Sequence, residues 1–298
     1  MRIATFTVSD NIVRQIQQLS DKQSNLQSQV ASGQRIKNPS DNPAVMSRLI
    51  NLESERRSLE QYSRNADRAL EISQSAFSGL QQIKKLSDRA TEIGTLGTGA
   101  TSPDALDAYA SEIDQLLEQA LQLGNTRFRN EFIFAGTAVD TAPFAVLRDV
   151  NGKITSAAYA GNSAQAVIAL SESSTFNTGS TGATNQGVGD FINRLVALRD
   201  TLRAGGGPAM TAVQTNLLAS EDLLVDSLAE QGAIQMRIEV NQTQQKVRGE
   251  NLERLVSAEA DVDLASTIVS LNQTQVAYQA ALQSSANIMR LSLLDYLR

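Results

Sequence analysis

Asp261 and Asp263 flank Val262, and Glu259 stands two residues earlier, so three carboxylates crowd one short stretch. Such a group could hold a divalent cation. A calcium loop, however, spaces its ligands around a glycine turn, and no such loop is present here. Acidic residues ahead of a helix also cap it and complement its dipole, which accounts for these three without an ion. Gly97-Thr98-Gly99 and Gly205-Gly206-Gly207 lack the Lys-Ser/Thr pair and the strand–helix frame of a phosphate loop. Both read as turns. The sequence contains no His and no Cys. That removes imidazole bases, thiol nucleophiles, zinc-finger ligands and disulfides. Carboxylates, Lys, Tyr and hydroxyls remain, and Tyr278 falls on an apolar row where packing explains it. The expectation is a chain with no catalytic residue, no metal and no cofactor.

The chain has 298 residues, of which 41% are hydrophobic, 19% charged and 4% aromatic, with no Trp. It is long enough for two domains. Few aromatics favour thin helical layers of Leu, Ile, Val and Ala. The net charge of −6 argues against nucleic-acid binding. Lys84-Lys85 and Arg56-Arg57 read as solvated helix faces. No apolar run reaches the ~20 residues of a membrane span, so no membrane insertion is expected. Thr5, Thr7, Ser9, Asp10 and Asn11 interrupt any signal-peptide core. Composition by itself reads as cytoplasmic.

Both ends carry heptads. Ile12, Leu19 and Leu26 form one row, and Ile16, Gln23 and Val30 the other. Gly33 offers a C-cap. Asn38-Pro39-Ser40-Asp41-Asn42-Pro43 breaks the chain, and Asp41 or Asn42 then caps a helix with Pro43 at its first position. That helix is expected over about 44–93, ended by the glycines of 94–100. Ser102-Pro103-Asp104 starts another, whose stripe is Leu106, Tyr109, Ile113, Leu116, Ala120 and Leu123. Short aromatic and aliphatic runs follow at 132–134, 144–147 and 166–170. Asn151-Gly152 marks a hairpin. Residues 171–190 read as loop, and helix resumes at Phe191. A long helix is expected over about 210–256 and a last one over 262–297. In the last, Leu264, Leu271 and Tyr278 form one row, and Ile268, Gln275, Leu282 and Met289 the other. Leu271, Leu282 and Met289 are expected on its buried face, against Ile12, Ile16, Leu19 and Leu26.

The fold class expected is mainly α. A long antiparallel helical bundle or coiled coil is built from both chain termini, with a small β-rich insert. The domains expected are a terminal assembly domain (1–42 and 258–298), an intermediate helical bundle (43–130 and 190–257) and an outer β-rich domain (131–189). Gln23 and Gln275 weaken the seams, so the ends should order fully only with partners.

Two segments carry a family resemblance. Val30-Ala31-Ser32-Gly33-Gln34-Arg35-Ile36 with Pro39-Ser40-Asp41-Asn42-Pro43-Ala44 resembles the N-terminal signature of the flagellin superfamily. Glu259-Ala260-Asp261-Val262-Asp263-Leu264-Ala265 with Gln275-Val276-Ala277-Tyr278-Gln279-Ala280 resembles its C-terminal signature. The opening Met1-Arg2-Ile3-Ala4-Thr5, the run Phe132-Ile133-Phe134-Ala135-Gly136-Thr137 and the close Ser292-Leu293-Leu294-Asp295-Tyr296-Leu297 are similar to the hook-associated members of that superfamily. Asn42 stands where the family often has Asp, and it keeps the capping function. The resemblance implies a secreted, non-enzymatic structural subunit at the flagellar hook–filament junction. Its implied partners are hook-associated protein 1, flagellin, further copies of itself, the flagellar type III export apparatus and an export chaperone. Competing readings are a short filament flagellin, which would assemble into long filaments, and a cytoplasmic coiled-coil scaffold.

Overall fold

The computed structural model describes residues 2–99, 102–177 and 179–296, and side chains from 10 to 287 within those. Among the described residues there are six helices: α1 (Arg2–Ser32), α2 (Pro43–Gly99), α3 (Pro103–Gly124), α4 (Gly182–Arg203), α5 (Ala209–Ala260) and α6 (Leu264–Tyr296). Six short strands lie between α3 and α4: β1 (Arg127–Phe128), β2 (Glu131–Phe132), β3 (Phe144–Arg148), β4 (Ile154–Tyr159), β5 (Val167–Ala169) and β6 (Thr175–Asn177). They pair as three antiparallel hairpins, β1–β2, β3–β4 and β5–β6. The chain divides into two compact units, Met1–Arg57 with Arg248–Arg298, and Ser58–Val247.

In the first unit α1 stops where Gly33 takes a left-handed φ of +71°, the conformation that costs glycine least. An antiparallel bridge then joins Gln34 to Asp261. Arg35 N donates to Ala260 O at 2.6 Å and Val262 N to Gly33 O at 3.0 Å. The end of α1 and the start of α6 therefore leave side by side, and α6 runs back antiparallel along α1. Asn42 is the residue that caps α2, accepting from Val45 N at 3.2 Å. Asp41 turns instead to the loop, accepting from Asn38 N at 2.8 Å and Lys37 N at 3.0 Å. Those two bonds hold its carboxyl below the usual range. Ile36, Val45, Leu49 and Ala260 close a small core here.

The second unit holds the main core. Leu80, Ile83 and Ile93 of α2, Ile113 and Leu117 of α3, and Phe191, Leu195 and Leu198 of α4 are fully buried together. Phe134, Phe144, Ile154 and Ala157 from the strand region belong to the same cluster. The α3 stripe is as expected, with Leu106, Ile113, Leu116 and Ala120 buried and Tyr109 and Leu123 packed at its edge.

Three local expectations are corrected. α2 does not stop at Ile93 but continues through Gly94 and Gly97, and its last residue is Gly99, inside the stretch expected to end it. A Cβ on Gly97 would sit 2.6 Å from Leu202 Cδ2 and 3.2 Å from Met210 Cε. This glycine permits close packing and does not form a turn. Helix resumes at Gly182 and not at Phe191. Thr181 caps it, its hydroxyl accepting from Thr184 N at 3.2 Å. Thr184 and Asn185 are buried but bonded to Ser227 and to the Tyr159 hydroxyl. A polar first turn satisfied by distant partners looks like loop in sequence. Within the remaining loop, β5–β6 docks its Leu170 among Ala66, Ala69 and Ile238. Asn65 Nδ2 donates to Ala169 O at 2.9 Å, and Gln245 Nε2 to Leu170 O at 2.7 Å.

The β3–β4 hairpin turns at Asn151-Gly152 as expected, with Gly152 at φ +79°. β1–β2 is the unexpected one. Its two connecting residues, Arg129 and Asn130, have φ of +49° and +72°. That is the sign pattern of a type I′ turn. Arginine in the left-handed region costs roughly 1–2 kcal/mol. The mainly α fold with a small β region is the one expected.

Candidate assembly interface

The terminal rows are placed as follows. On α1, Ile12, Ile16, Leu19, Leu26 and Val30 are all half-buried. On α6, Leu271 and Tyr278 are half-buried, but Leu264 (47%), Ile268 (44%) and Leu282 (44%) are exposed. The side chain of Met289 lies outside the described residues. Leu282 is thus not on the buried face of the last helix, contrary to expectation.

The buried face of α6 is made of hydroxyls: Thr267, Thr274 and Ser285. Thr267 Oγ1 donates to Asp263 O at 2.7 Å and Thr274 Oγ1 to Ser270 O at 2.7 Å. These two threonine hydroxyls, satisfied within their own helix, leave a small, largely apolar surface. Thr267, Thr274 and Ser285 repeat by seven and eleven residues. The heptad rule looks for large side chains, so it assigned the seam to their neighbours. Among the described residues, no large apolar side chain in 10–32 or 264–287 is fully buried. The sequence of α6 is also uncharged between Asp263 and Arg290.

The carboxylates singled out by sequence have separate uses. Asp263 caps α6, accepting from Ala265 N at 3.0 Å and Ser266 N at 3.3 Å. Asp261 accepts from the Ser257 hydroxyl at 2.5 Å. Glu259 accepts from Nε and Nη2 of Arg48, at 3.0 and 3.1 Å. Arg48 holds its carboxyl below the usual range. None of the three shares a partner with another, and Arg48 places Glu259 at the same joint as the Gln34–Asp261 bridge. Gly205, Gly206 and Gly207, at φ +92°, +73° and +68°, make the turn between α4 and α5.

The main charge centre escaped sequence reasoning. Arg199 is buried in the second unit, its side chain 4% exposed. It donates to Ile154 O at 2.5 Å, Asp200 Oδ1 at 2.8 Å and Asp114 Oδ1 at 3.3 Å. Asp114 also receives Lys153 at 2.8 Å and Arg203 at 2.5 Å. Burial pushes the Asp114 carboxyl up, but Lys153, Arg203 and Arg199 outweigh it and the net displacement is downward. Adjacent residues of α3, with Asn151, Gly152, Lys153 and Ile154, line an open cavity of about 450 Å³. The charges are paired with one another, so this network joins α3, α4 and the β3–β4 hairpin as a structural tie.

Residues 3–139 match the family described as the bacterial flagellin N-terminal helical region. Flagellar hook-associated protein 3 of Escherichia coli (strain K12) is 33% identical over 119 residues, covering 39% of this chain and 38% of that protein. The protein of the same name from Salmonella typhimurium is 28% identical over 146 residues, covering 48% and 46%. The matched stretch is thus less than half the length of either relative. Two solved structures have a similar fold. One is a flagellar hook-associated protein from Vibrio parahaemolyticus, with TM-score 0.66 and 17% identity, covering 74% of this chain and all of that one. The other is FlgL of Bacillus cereus, with TM-score 0.61 and 18% identity, covering 70% and 99%. Over residues 3–139 the chain is similar to the bacterial flagellin N-terminal helical region, it is similar in part to relatives named flagellar hook-associated protein 3, and its fold resembles that of the two solved structures.

Proposed function

We propose that this chain is a structural subunit of the bacterial flagellum that polymerises as a layer at the hook–filament junction. Its neighbours are hook-associated protein 1 on one side and flagellin on the other. One observation carries the reading: the terminal helices leave every described large apolar side chain partly or wholly open. Leu264, Ile268 and Leu282 add an exposed apolar row on an uncharged helix. A lone soluble chain gains little from such a surface, and copies packed side by side would remove it from water. The similarity to relatives named flagellar hook-associated protein 3 supports the location.

In this reading 1–42 and 258–298 form the assembly domain, 43–130 and 190–257 the intermediate domain, and 131–189 the outer one. Ile12, Ile16, Leu19, Leu26, Val30, Leu264, Ile268, Leu271, Tyr278, Leu282 and Met289 face neighbours in the layer. The subunit has no enzymatic role, leaves the cell through the flagellar export apparatus with an export chaperone, and works outside it. Deleting the gene and imaging the cells tests this. Hooks should remain while filaments are lost and flagellin appears in the medium. Normal filaments on the deleted strain would refute it.

A further inference from the structure

α5 carries an open apolar row of its own. Leu218, Val225, Met236, Val240 and Val247 are between 46% and 67% exposed. At 100° per residue they fall within a ~60° arc, and the row is about 43 Å long. Asp222, Asp226 and Glu230, all exposed, begin on this row and drift to one flank at four-residue spacing. The face is therefore apolar with an acidic edge.

The same unit presents a complementary edge elsewhere. The β1–β2 hairpin is held in its left-handed turn by Arg129 and Asn130. The Arg127 guanidinium lies 4.2 Å from the Phe132 ring centroid, and that of Arg129 5.5 Å from the Phe128 centroid. Both arginines are exposed, as is Arg68 beside them on Glu131. Arg129 also stands 2.7 Å from Glu71. Three guanidiniums over two carboxylates leave a net cationic knob. Stacking on Phe128 and Phe132 fixes where two of the charges point.

We propose that the occupant of the α5 face is a second copy of this chain, which sets its β1–β2 arginine knob against the Asp222/Asp226/Glu230 edge while covering the apolar row. This rests on the reading that copies assemble into a layer. The two patches differ, so the contact is heterologous and repeats from copy to copy into a ring or helix. It also gives the left-handed Arg129 a use, since a relaxed turn would not hold the knob in place.

The test is charge reversal in the full chain, read by sedimentation at high protein concentration. Asp222→Lys with Asp226→Lys should weaken self-association roughly tenfold or more, and Arg127→Glu with Arg129→Glu should do the same. Mixed together, the two variants should recover wild-type association, because every contact in an alternating chain is again opposite in sign. Met236→Glu, at a position 67% exposed, should weaken association without a change in melting temperature. If the wild type assembles and the reversals do not weaken it, or the mixture does not recover, this contact is wrong. If the wild-type chain does not associate at all, the layer reading fails, and this contact with it.

Discussion

Asp114 gathers Lys153, Arg199 and Arg203, and it is the one carboxylate that faces the buried Arg199 from α3. Asp114→Asn would leave that guanidinium short of charge, and we expect a loss of about 1–3 kcal/mol in chemical denaturation. The folded carboxyl sits below its unfolded value. Its contribution is therefore complete above the unfolded pKa, about 4, and disappears as pH falls through the lower folded value. The wild type should lose stability on acidification below about pH 4 more steeply than Asp114→Asn; equal slopes would contradict this. Arg129 offers a second residue-scale test. Arg129→Gly relieves a left-handed arginine but gives up the exposed pair with Glu71 and the stacking on Phe128, so the monomer should stay within about 1 kcal/mol of wild-type stability while self-association weakens. Neither role was legible beforehand. Asp114 falls between the apolar positions of α3, and its partners come from the β3–β4 turn and α4. By contrast capping was legible, because it is local: Asn42 was one of two candidates with Asp41, and Asp263 one of three carboxylates at the start of α6.

At the scale of elements, the helices were largely readable and their faces less so. Period and breakers located α1, α3 and the Gly-Gly-Gly stop after α4. Gly97 misled, because a glycine needed for contact with Leu202 and a glycine that ends a helix look the same in one dimension. On α6 the hydroxyls of Thr267 and Thr274, satisfied by their own helix, took the buried positions reserved for leucines. Leu282→Asp then has a divided outcome. The residue is exposed in the monomer, so melting should move by no more than about 0.5 kcal/mol in equivalent stability. Assembly should fail, with flagellin released into the medium and filaments missing. Cells of this variant that swim with full filaments would reject the α6 face as an assembly surface. Amide exchange over 1–35 and 265–298 should likewise be fast in the isolated chain and slow in the assembled one.

For the whole molecule, the order helix–helix–helix, strands, helix–helix–helix was written in the sequence, because breakers and composition shifts separate the segments. How the strand region attaches was not. Phe144, Ile154 and Ala157 sit in one core with Phe191 and Leu195 of α4, and these contacts join residues far apart in sequence. Replacing 137–188 by a short linker removes those side chains and the capped first turn of α4. Phe144 alone is worth roughly 3–5 kcal/mol on truncation to Ala. We expect this variant to lose its sharp cooperative melting, followed by helical circular dichroism. Retention of a wild-type transition would mean that the helices need nothing from the strands.

The uncharged run of α6 has a thermal consequence. An interface closed by Leu264, Ile268, Leu282 and their neighbours releases ordered water and forms few ionic contacts, so near 25 °C its driving force is almost wholly entropic, with a negative heat-capacity change. Such a contact weakens on cooling and is indifferent to moderate salt. The contact of the β1–β2 arginine knob with the acidic edge of α5 would behave in the opposite way, loosening as salt screens it. Chilled, low-salt layers should therefore come apart at the terminal helices first, and warm, salty ones at α5.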